Sequence, residues 1–351
     1  MNGQQFASDN WAGIAPEALD ALLTANAAGH APAYGDDAWT QRACDAVRRV
    51  FERDDIEVFF VFNGGAANGL ALAALCKPYD AVVCTPQAHI ATDEVNGLAF
   101  FGQGISLLPT TAADQGKLTP HSLRSAATQR DDLHFPRARV VSLTQTTELG
   151  CVYTLDELRA LTATARELGL KVHMDGARFA NAVASLGCAP ADASWRAGVD
   201  VLSFGMTKNG APAGEAVVFF HAALADGFAW RAKQAGQLAS KMRMFAAPWV
   251  GMLETGAWLR HAGHANAMAQ RLVAAIRGLP GIELLHEPHA NAVFAWLPRP
   301  AVAAVQGRGW RFHEVLPARG VQAGCRLMCA WDTTPQTVDA FAADLAAACV
   351  G

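Results

Sequence analysis

"DVLSFGMTKNGAP", residues 200–212, reads as a short buried strand that ends in a turn carrying one lysine, Lys208. Lysine is scarce in this chain: of 28 basic residues only six are lysines, at 77, 117, 171, 208, 233 and 241. An ammonium at the end of a buried strand is costly unless it is paired, deprotonated or covalently engaged. The strand-like "LKVHMD" (170–175) precedes this stretch and ends on a carboxylate, Asp175, and "EAVVFF" (215–220) follows it.

Outward from this centre the pattern repeats. "EVFFVF" (57–62), "DAVVCT" (80–85) and "ARVVSLTQ" (138–145) read as strands, and "GAANGLALAALC" (65–76) as a helix. Thr154 with Glu157 has the form of a capping box, Leu155, Leu158, Leu161, Ala165 and Leu168 form one apolar stripe, and Gly169 ends the helix. Strands apolar along their length and separated by helices predict a largely parallel sheet covered on both faces. After residue 250 the texture changes. A long helical stretch (253–278), then "GIELLHE", "AVFAWL", "RLMCAW" and a last helix near 335–349, predict a smaller α/β domain with an antiparallel sheet. The expected division is a large domain over 1–250 and a small one over 251–351, with the N-terminal segment free to join the small one.

Composition narrows the function. With 351 residues, 52% of them hydrophobic and 17% charged, the chain can bury a substantial core. A net charge of −4 offers no basic field to nucleic acid or anionic lipid. No run of 18 apolar residues occurs, and "MNGQQFASDN" lacks the apolar core of a secretory signal, so a cytoplasmic protein without membrane association is expected. The eight cysteines form no CxxC and are expected to be reduced. "HAGH" (261–264) and "HEPH" (286–289) lack further ligands, so no metal is expected.

In open α/β sheets ligands lie outside the carboxyl ends of the strands. There, "NGGAAN" (63–68) leads into a helix, and its small residues let backbone amides approach an anion. His89 follows the second strand, Asp175 ends another with Arg178 three positions on, and Lys208 follows the next. Singly, each has an ordinary account: a tight turn, a loop histidine, an ion pair, a lysine reaching solvent past its stem. Together they match pyridoxal 5'-phosphate, which carries a phosphate, a flat ring, a ring nitrogen that must hold a proton, and an aldehyde that condenses with a lysine.

"HMDGARFANA" (173–182) and "SFGMTKNGAPAGEAVVF" (203–219), supported by "SDNWAG" (8–13), "AYGDD" (33–37), "LHFPRAR" (133–139), "QLASKMRMFAAPW" (237–249) and "CRLMCAW" (325–331), resemble the low-specificity L-threonine aldolases, including the phenylserine-cleaving type, of the β-eliminating-lyase group. The resemblance implies the aspartate-aminotransferase fold, fold type I: an α/β architecture with a large, mostly parallel-sheet domain and a smaller C-terminal α/β domain. It implies a pyridoxal-phosphate enzyme that cleaves L-threonine, L-allo-threonine or L-phenylserine to glycine and an aldehyde. Another lyase or aminotransferase reaction on the same cofactor is the alternative.

Residue by residue, the resemblance makes Lys208 the lysine that condenses with the cofactor, Asp175 the partner of the ring nitrogen and His89 the ring-stacking group. Gly64 and Gly65, with Asn63, fall in the phosphate loop. Arg178 and Arg326, with Ser8, resemble the groups that hold the substrate carboxylate. His134 matches a histidine near the β-hydroxyl, and His89 and His134 are both candidates for the base. Tyr34 matches an active-site residue at a subunit boundary, and Arg243 an arginine reaching phosphate across it, which implies at least a homodimer, paired as a dimer of dimers.

One departure stands out. Related loops carry hydroxyl residues in the style of "TGTAAN", whereas Asn63 and Gly65 stand here. A hydrogen bond to a charged group contributes about 1.5–3 kcal/mol. Gly65→Thr is therefore expected to slow loss of the cofactor on prolonged dialysis, followed by its visible absorbance. Equal retention by the two proteins would show that the missing hydroxyl costs nothing.

Overall fold

Apolar strands with no polar face must be covered on both sides, and the computed structural model, which describes residues 4–110 and 114–350, meets this with a seven-stranded sheet between two apolar clusters. Its strands are β1 (Glu57–Val61), β2 (Asp80–Cys84), β3 (Ser106–Pro109), β4 (Arg137–Thr144), β5 (Lys171–Gly176), β6 (Val201–Phe204) and β7 (Glu215–Phe219), in the order β1-β7-β6-β5-β4-β2-β3. From β3 to β6 the neighbours are parallel; β7 runs antiparallel to both β6 and β1. The carboxyl ends of β1, β2, β4, β5 and β6 therefore open on one edge, and β7 starts at that same edge.

A second sheet holds β8 (Glu283–Leu284), β9 (Ala292–Pro298), β10 (His313–Arg319) and β11 (Gln322–Met328), all antiparallel, in the order β10-β11-β9-β8. β10 is mostly exposed and carries no apolar run, which is why the sequence pattern passes over it. Part of the N-terminal segment packs against this sheet's core. Phe6 packs against Trp310 and Phe341 with ring centroids 5.9 and 5.1 Å away, and its backbone bonds to Arg311 and Met328.

The helical stretch expected over 253–278 is two helices, Arg243–Glu254 and Ala257–Ile276. Gly256, at φ +69°, turns the chain between them, a conformation that glycine adopts without steric cost. The capping box at Thr154 forms as expected: the Glu157 amide donates to Thr154 Oγ1 at 3.2 Å and the Thr154 amide to Glu157 Oε2 at 2.7 Å.

The turn after β6 is held from several sides. An added Cβ at Gly205 would lie 2.7 Å from both Cα and the carbonyl oxygen of Ala177, so only glycine lets the β6 exit pass the β5 exit. Gly210, at φ +105°, lies against Ala15, whose amide donates to the Gly210 carbonyl at 2.8 Å. Asn209 Nδ2 donates to the Trp258 carbonyl at 2.7 Å.

Because the obstacle at Gly205 is backbone, Gly205→Ala is expected to lower stability by about 1–3 kcal/mol in urea unfolding. Gly263, inside the helix Ala257–Ile276, has open space around its would-be Cβ. Gly263→Ala is expected to stabilise by about 0.5–1 kcal/mol. Equal effects of the two substitutions would contradict the crowding described at residue 205.

Candidate active site

A cavity of about 340 Å³ opens at the edge where the parallel strands end. It collects Asn63, Gly64, Gly65, His89, Asp175, Arg178 and Lys208 from the sequence reading. Each arrives by strand or helix geometry. Asn63 caps the helix Gly64–Leu75, its side-chain oxygen accepting from the Ala66 amide at 2.9 Å. That oxygen is thus committed, and the amides of Gly64 and Gly65 are the donors without partners among the described residues. A Cβ at Gly64 would meet nothing within 4 Å, and one at Gly65 would reach Asn63 and Glu94 only at 3.8 Å.

Asp175 closes β5. Its Oδ1 accepts from the Ala177 amide at 3.0 Å and its Oδ2 from Asn68 Nδ2 at 2.9 Å. Asn68 Nδ2 also donates to Glu94 Oε1 at 2.9 Å, and the same oxygen lies 2.9 Å from His89 Nδ1. The Glu94 hydrogen bond raises the His89 pKa against the opposing effect of burial, helped by the charges of Glu148 and Asp175. Two residues before Asp175, His173 is fully buried, between the Ser142 and Ser203 hydroxyls at 2.9 and 3.0 Å. Burial lowers its pKa to about 4, Asp175 opposing, so it is neutral at ordinary pH.

Lys208 sits in the one-turn helix Thr207–Asn209, and Glu215 at the start of β7 tethers that turn: its Oε2 accepts from the Met206 amide at 2.6 Å and the Thr207 amide at 3.4 Å. Among the described residues the Lys208 amine makes no hydrogen bond and no ion pair. The Arg178 guanidinium and burial push its pKa below the usual lysine value, while Asp9, Asp175 and Glu148 pull the other way.

Arg178 is gripped by Asp9, Nε to Oδ2 at 2.7 Å and Nη2 to Oδ1 at 3.0 Å, which leaves Nη1 free among the described residues. Asn291 Nδ2 adds a third bond to Asp9 at 3.1 Å. Burial alone would raise the Asp9 carboxyl, but Arg178 holds it below the usual range. Arg326, on β11, donates to the Ala7 carbonyl at 3.2 Å, and its Nε is buried without a partner among the described residues. Burial and the nearby Arg178 charge lower its pKa. Two guanidiniums that repel each other, each with a donor left unpaired among the described residues, mark a place for an anion. Ser8 does not line the cavity; its hydroxyl accepts from the Asn10 amide at 3.1 Å and caps the turn that carries Asp9.

Arg326, like Ser8, is outside the cavity lining, and so are three further expected residues, His134, Tyr34 and Arg243. His134 lies exposed before β4, its amide bonded to Asp132 at 2.9 Å. In a parallel sheet a residue preceding a strand sits at the opposite edge from one that follows it, and the eight residues of β4 separate the two by about 26 Å. His134 therefore cannot act as base in its own chain's site, which corrects that expectation. Tyr34 is half exposed under the Lys233 amine, 4.1 Å from its ring centroid, and Arg243 Nη2 donates to the Gly29 carbonyl at 3.3 Å. Arg243 begins the helix Arg243–Glu254, in which Phe245 packs edge-on against the cavity residue Phe62 at 6.0 Å.

Asp9, Asn68, Glu94, Glu148, His173 and Glu215 were not singled out in the sequence. Glu94 alone had a signal, five residues after His89 in "PQAHIATDE". The HxxH histidines serve structural bonds: His264 to the Thr333 carbonyl at 2.6 Å, and His289 accepting from the Val152 amide at 3.1 Å.

A half-buried lysine without a partner among the described residues, a carboxylate fixed at a strand end and a guanidinium beside them, on the carboxyl edge of a mostly parallel sheet, with a second guanidinium from the small sheet, define an enzyme of the type I, aspartate-aminotransferase-like fold. The sequence profile of the family "Beta-eliminating lyase" matches residues 5–299. Low specificity L-threonine aldolases of Pseudomonas sp. and Pseudomonas aeruginosa are each 54% identical, covering 98% and 97% of this chain and 97% of each relative. The solved threonine aldolase of Leishmania major superposes with a TM-score of 0.91 at 27% identity, covering 97% of this chain and 98% of that one. The chain belongs to the β-eliminating lyase family and, within it, to the low-specificity L-threonine aldolases.

The Glu94 bond gives a pH-dependent prediction. His89 has its pKa raised in the fold, so the interaction stabilises fully below the unfolded histidine pKa and is lost as pH rises through the raised value. In Glu94→Gln, NMR titration is expected to show His89 at a lower pKa, with that part of the pH dependence of stability gone. An unmoved His89 midpoint would show that Glu94 does not tune it.

Proposed function

We propose that this chain is a pyridoxal 5'-phosphate-dependent aldolase that cleaves L-threonine, L-allo-threonine or L-phenylserine-type β-hydroxy-α-amino acids to glycine and an aldehyde. The observation that carries this reading is the unpartnered Lys208 amine in one cavity with Asp175 and Arg178, close to the unsatisfied Nε of Arg326. The residues fit the cofactor. Two free amides at a glycine-lined helix start suit a phosphate, the hydrogen-bonded Asp175 suits a ring nitrogen that must stay protonated, and an amine with a lowered pKa suits an aldehyde. Bound there, the cofactor supplies an electron sink for the pair released at the substrate's Cα.

The chain's own residues do the rest. Arg178, through its free Nη1, and Arg326 hold the substrate carboxylate and fix rotation about Cα, so that the Cα–Cβ bond is the one aligned to break. Asn68 and the Ala177 amide hold the Asp175 carboxylate where it keeps a proton on the ring nitrogen. His89, oriented by Glu94, forms one wall of the ring site. Asn63, Gly64 and Gly65 form the phosphate end. Ser8 holds the turn that carries Asp9, and Asp9 sets the guanidinium of Arg178.

The same reading covers the assembly. Tyr34 and Arg243, outside the lining of their own chain's cavity, serve a neighbouring subunit's site, so the working unit is a homodimer, and dimers pair into a homotetramer. The large domain ends near residue 250, and the protein acts in the cytoplasm. Among the described residues no helix is long and apolar enough to cross a membrane.

Incubation of the cofactor-loaded enzyme with phenylserine or threonine is expected to release benzaldehyde or acetaldehyde with equimolar glycine. Borohydride reduction followed by peptide mapping is expected to find the cofactor on Lys208, and Lys208→Ala to lose both the label and the glycine-dependent change in the visible spectrum. Release of a keto acid or ammonia in place of the aldehyde, or a label on another lysine, would overturn the reading.

A further inference from the structure

Cleavage requires a group that takes the proton from the substrate's β-hydroxyl. Within its own chain His134 is at the far edge of the sheet, and His89, its Nδ1 held by Glu94 at 2.9 Å, is assigned to the wall of the ring site. The carboxylates around the cavity are nearly all committed. Asp175 uses both oxygens on Asn68 and Ala177, and Asp9 uses both on Arg178 and Asn291. Glu215 is bound to the Met206 and Thr207 amides, and Glu94 to His89 and Asn68, with its other oxygen sealed from solvent. Glu148 differs. It lies in the turn after β4 and lines the cavity with His89, Asp175, Arg178 and Lys208. Among the described residues it makes no hydrogen bond and no ion pair, and its oxygens are not among the sealed, unpartnered atoms, so they open onto the cavity.

We propose that Glu148 is the proton acceptor for the substrate's β-hydroxyl. This deepens the aldolase reading and rests on it. The hydroxyl proton passes to the Glu148 carboxylate, the O–H pair becomes the second C–O bond of the aldehyde, and the Cα–Cβ bond breaks with its pair left on Cα. Cα then takes up a proton to give glycine, balanced by the proton that Glu148 returns. Burial and the Asp175 charge raise the Glu148 pKa, against Arg178, Lys208 and His89, which face it from the neighbouring strand ends and lower it. Such a carboxylate is more basic than an exposed one and better matched to a hydroxyl.

The test compares Glu148→Gln with the parent enzyme in three measurements. Aldehyde release is expected to fall about 10²–10⁴-fold, the usual range for a lost general base. Exchange of the glycine α-hydrogen with solvent deuterium, which needs no hydroxyl base, is expected to fall far less. The acid limb of kcat/KM for cleavage is expected to lie above the ordinary carboxylate range in the parent and to disappear in the variant. Parent-like cleavage by Glu148→Gln, or an equal fall in both reactions, would overturn the assignment while leaving the aldolase reading intact. Failure of the parent to release any aldehyde would instead remove the reading beneath it.

A readout independent of turnover comes from the cofactor-free protein. A carboxyl whose pKa is raised in the fold contributes stability below its unfolded pKa that is lost as pH rises through the folded value. The Tm of Glu148→Gln relative to the parent is therefore expected to climb with pH. A variant less stable than the parent at every pH would mean that the carboxylate is structurally paired, and the proposal would fail.

Discussion

The site depends on keeping a lysine turn rigid in a place where the amine forms no direct ion pair among the described residues. Glu215 accepts from the two amides that precede Lys208, Asn209 is tied to Trp258, and Gly205 and Gly210 let the turn press against Ala177 and Ala15. Every anchor is spent on the backbone or on a neighbouring residue, and none on the amine. The amine is consequently surrounded by charges without being bound to any. Arg178 and burial favour its neutral form, and the carboxylates around it limit how far that goes. A direct ion pair would have stabilised the ammonium and left the lysine unreactive.

The carboxyl-edge arrangement spreads this logic over the cavity. β4, β5 and β6 deliver Glu148, Asp175 and Lys208 from adjacent strands, and the reversed β7 adds Glu215. A bridge of Asn68 and Glu94 then links Asp175 to His89, so a strand end and a loop share one hydrogen-bonded frame. Beneath it His173 ties β4 to β6 through two hydroxyls and stays uncharged. Buried polar groups of this kind hold position only when their partners are satisfied. Within the bridge itself Asn68 Oδ1 and Glu94 Oε2 stay buried without partners among the described residues, and Arg326 Nε is a buried donor in the same condition.

Much of this was legible in the sequence because strand ends announce themselves. An apolar run followed by Asp175, Lys208 or His89 needs only local pattern and the rule that ligands gather at carboxyl ends. Asp9, Asn68, Glu148 and Glu215 were not legible, since they resemble ordinary turn, helix and strand-start residues until long-range contacts converge on them; Asp9 and Asn291 are 282 positions apart. His134 was misread in its own chain although the topology bears on it, since it precedes a parallel strand. The break at Gly256 was hidden because apolar periodicity resumes beyond it, and β10 because it has little buried face.

The first residues span both units of the molecule. Phe6 is plugged into the aromatic core under the small sheet, and Asp9, three positions later, clamps a guanidinium beside the large one. Three peptide units extend at most about 10 Å, so the two anchors lie close together. The same short segment therefore anchors in the aromatic core and supplies the carboxylate that orients Arg178, so the packing of Phe6 helps to fix the guanidinium beside the reactive amine.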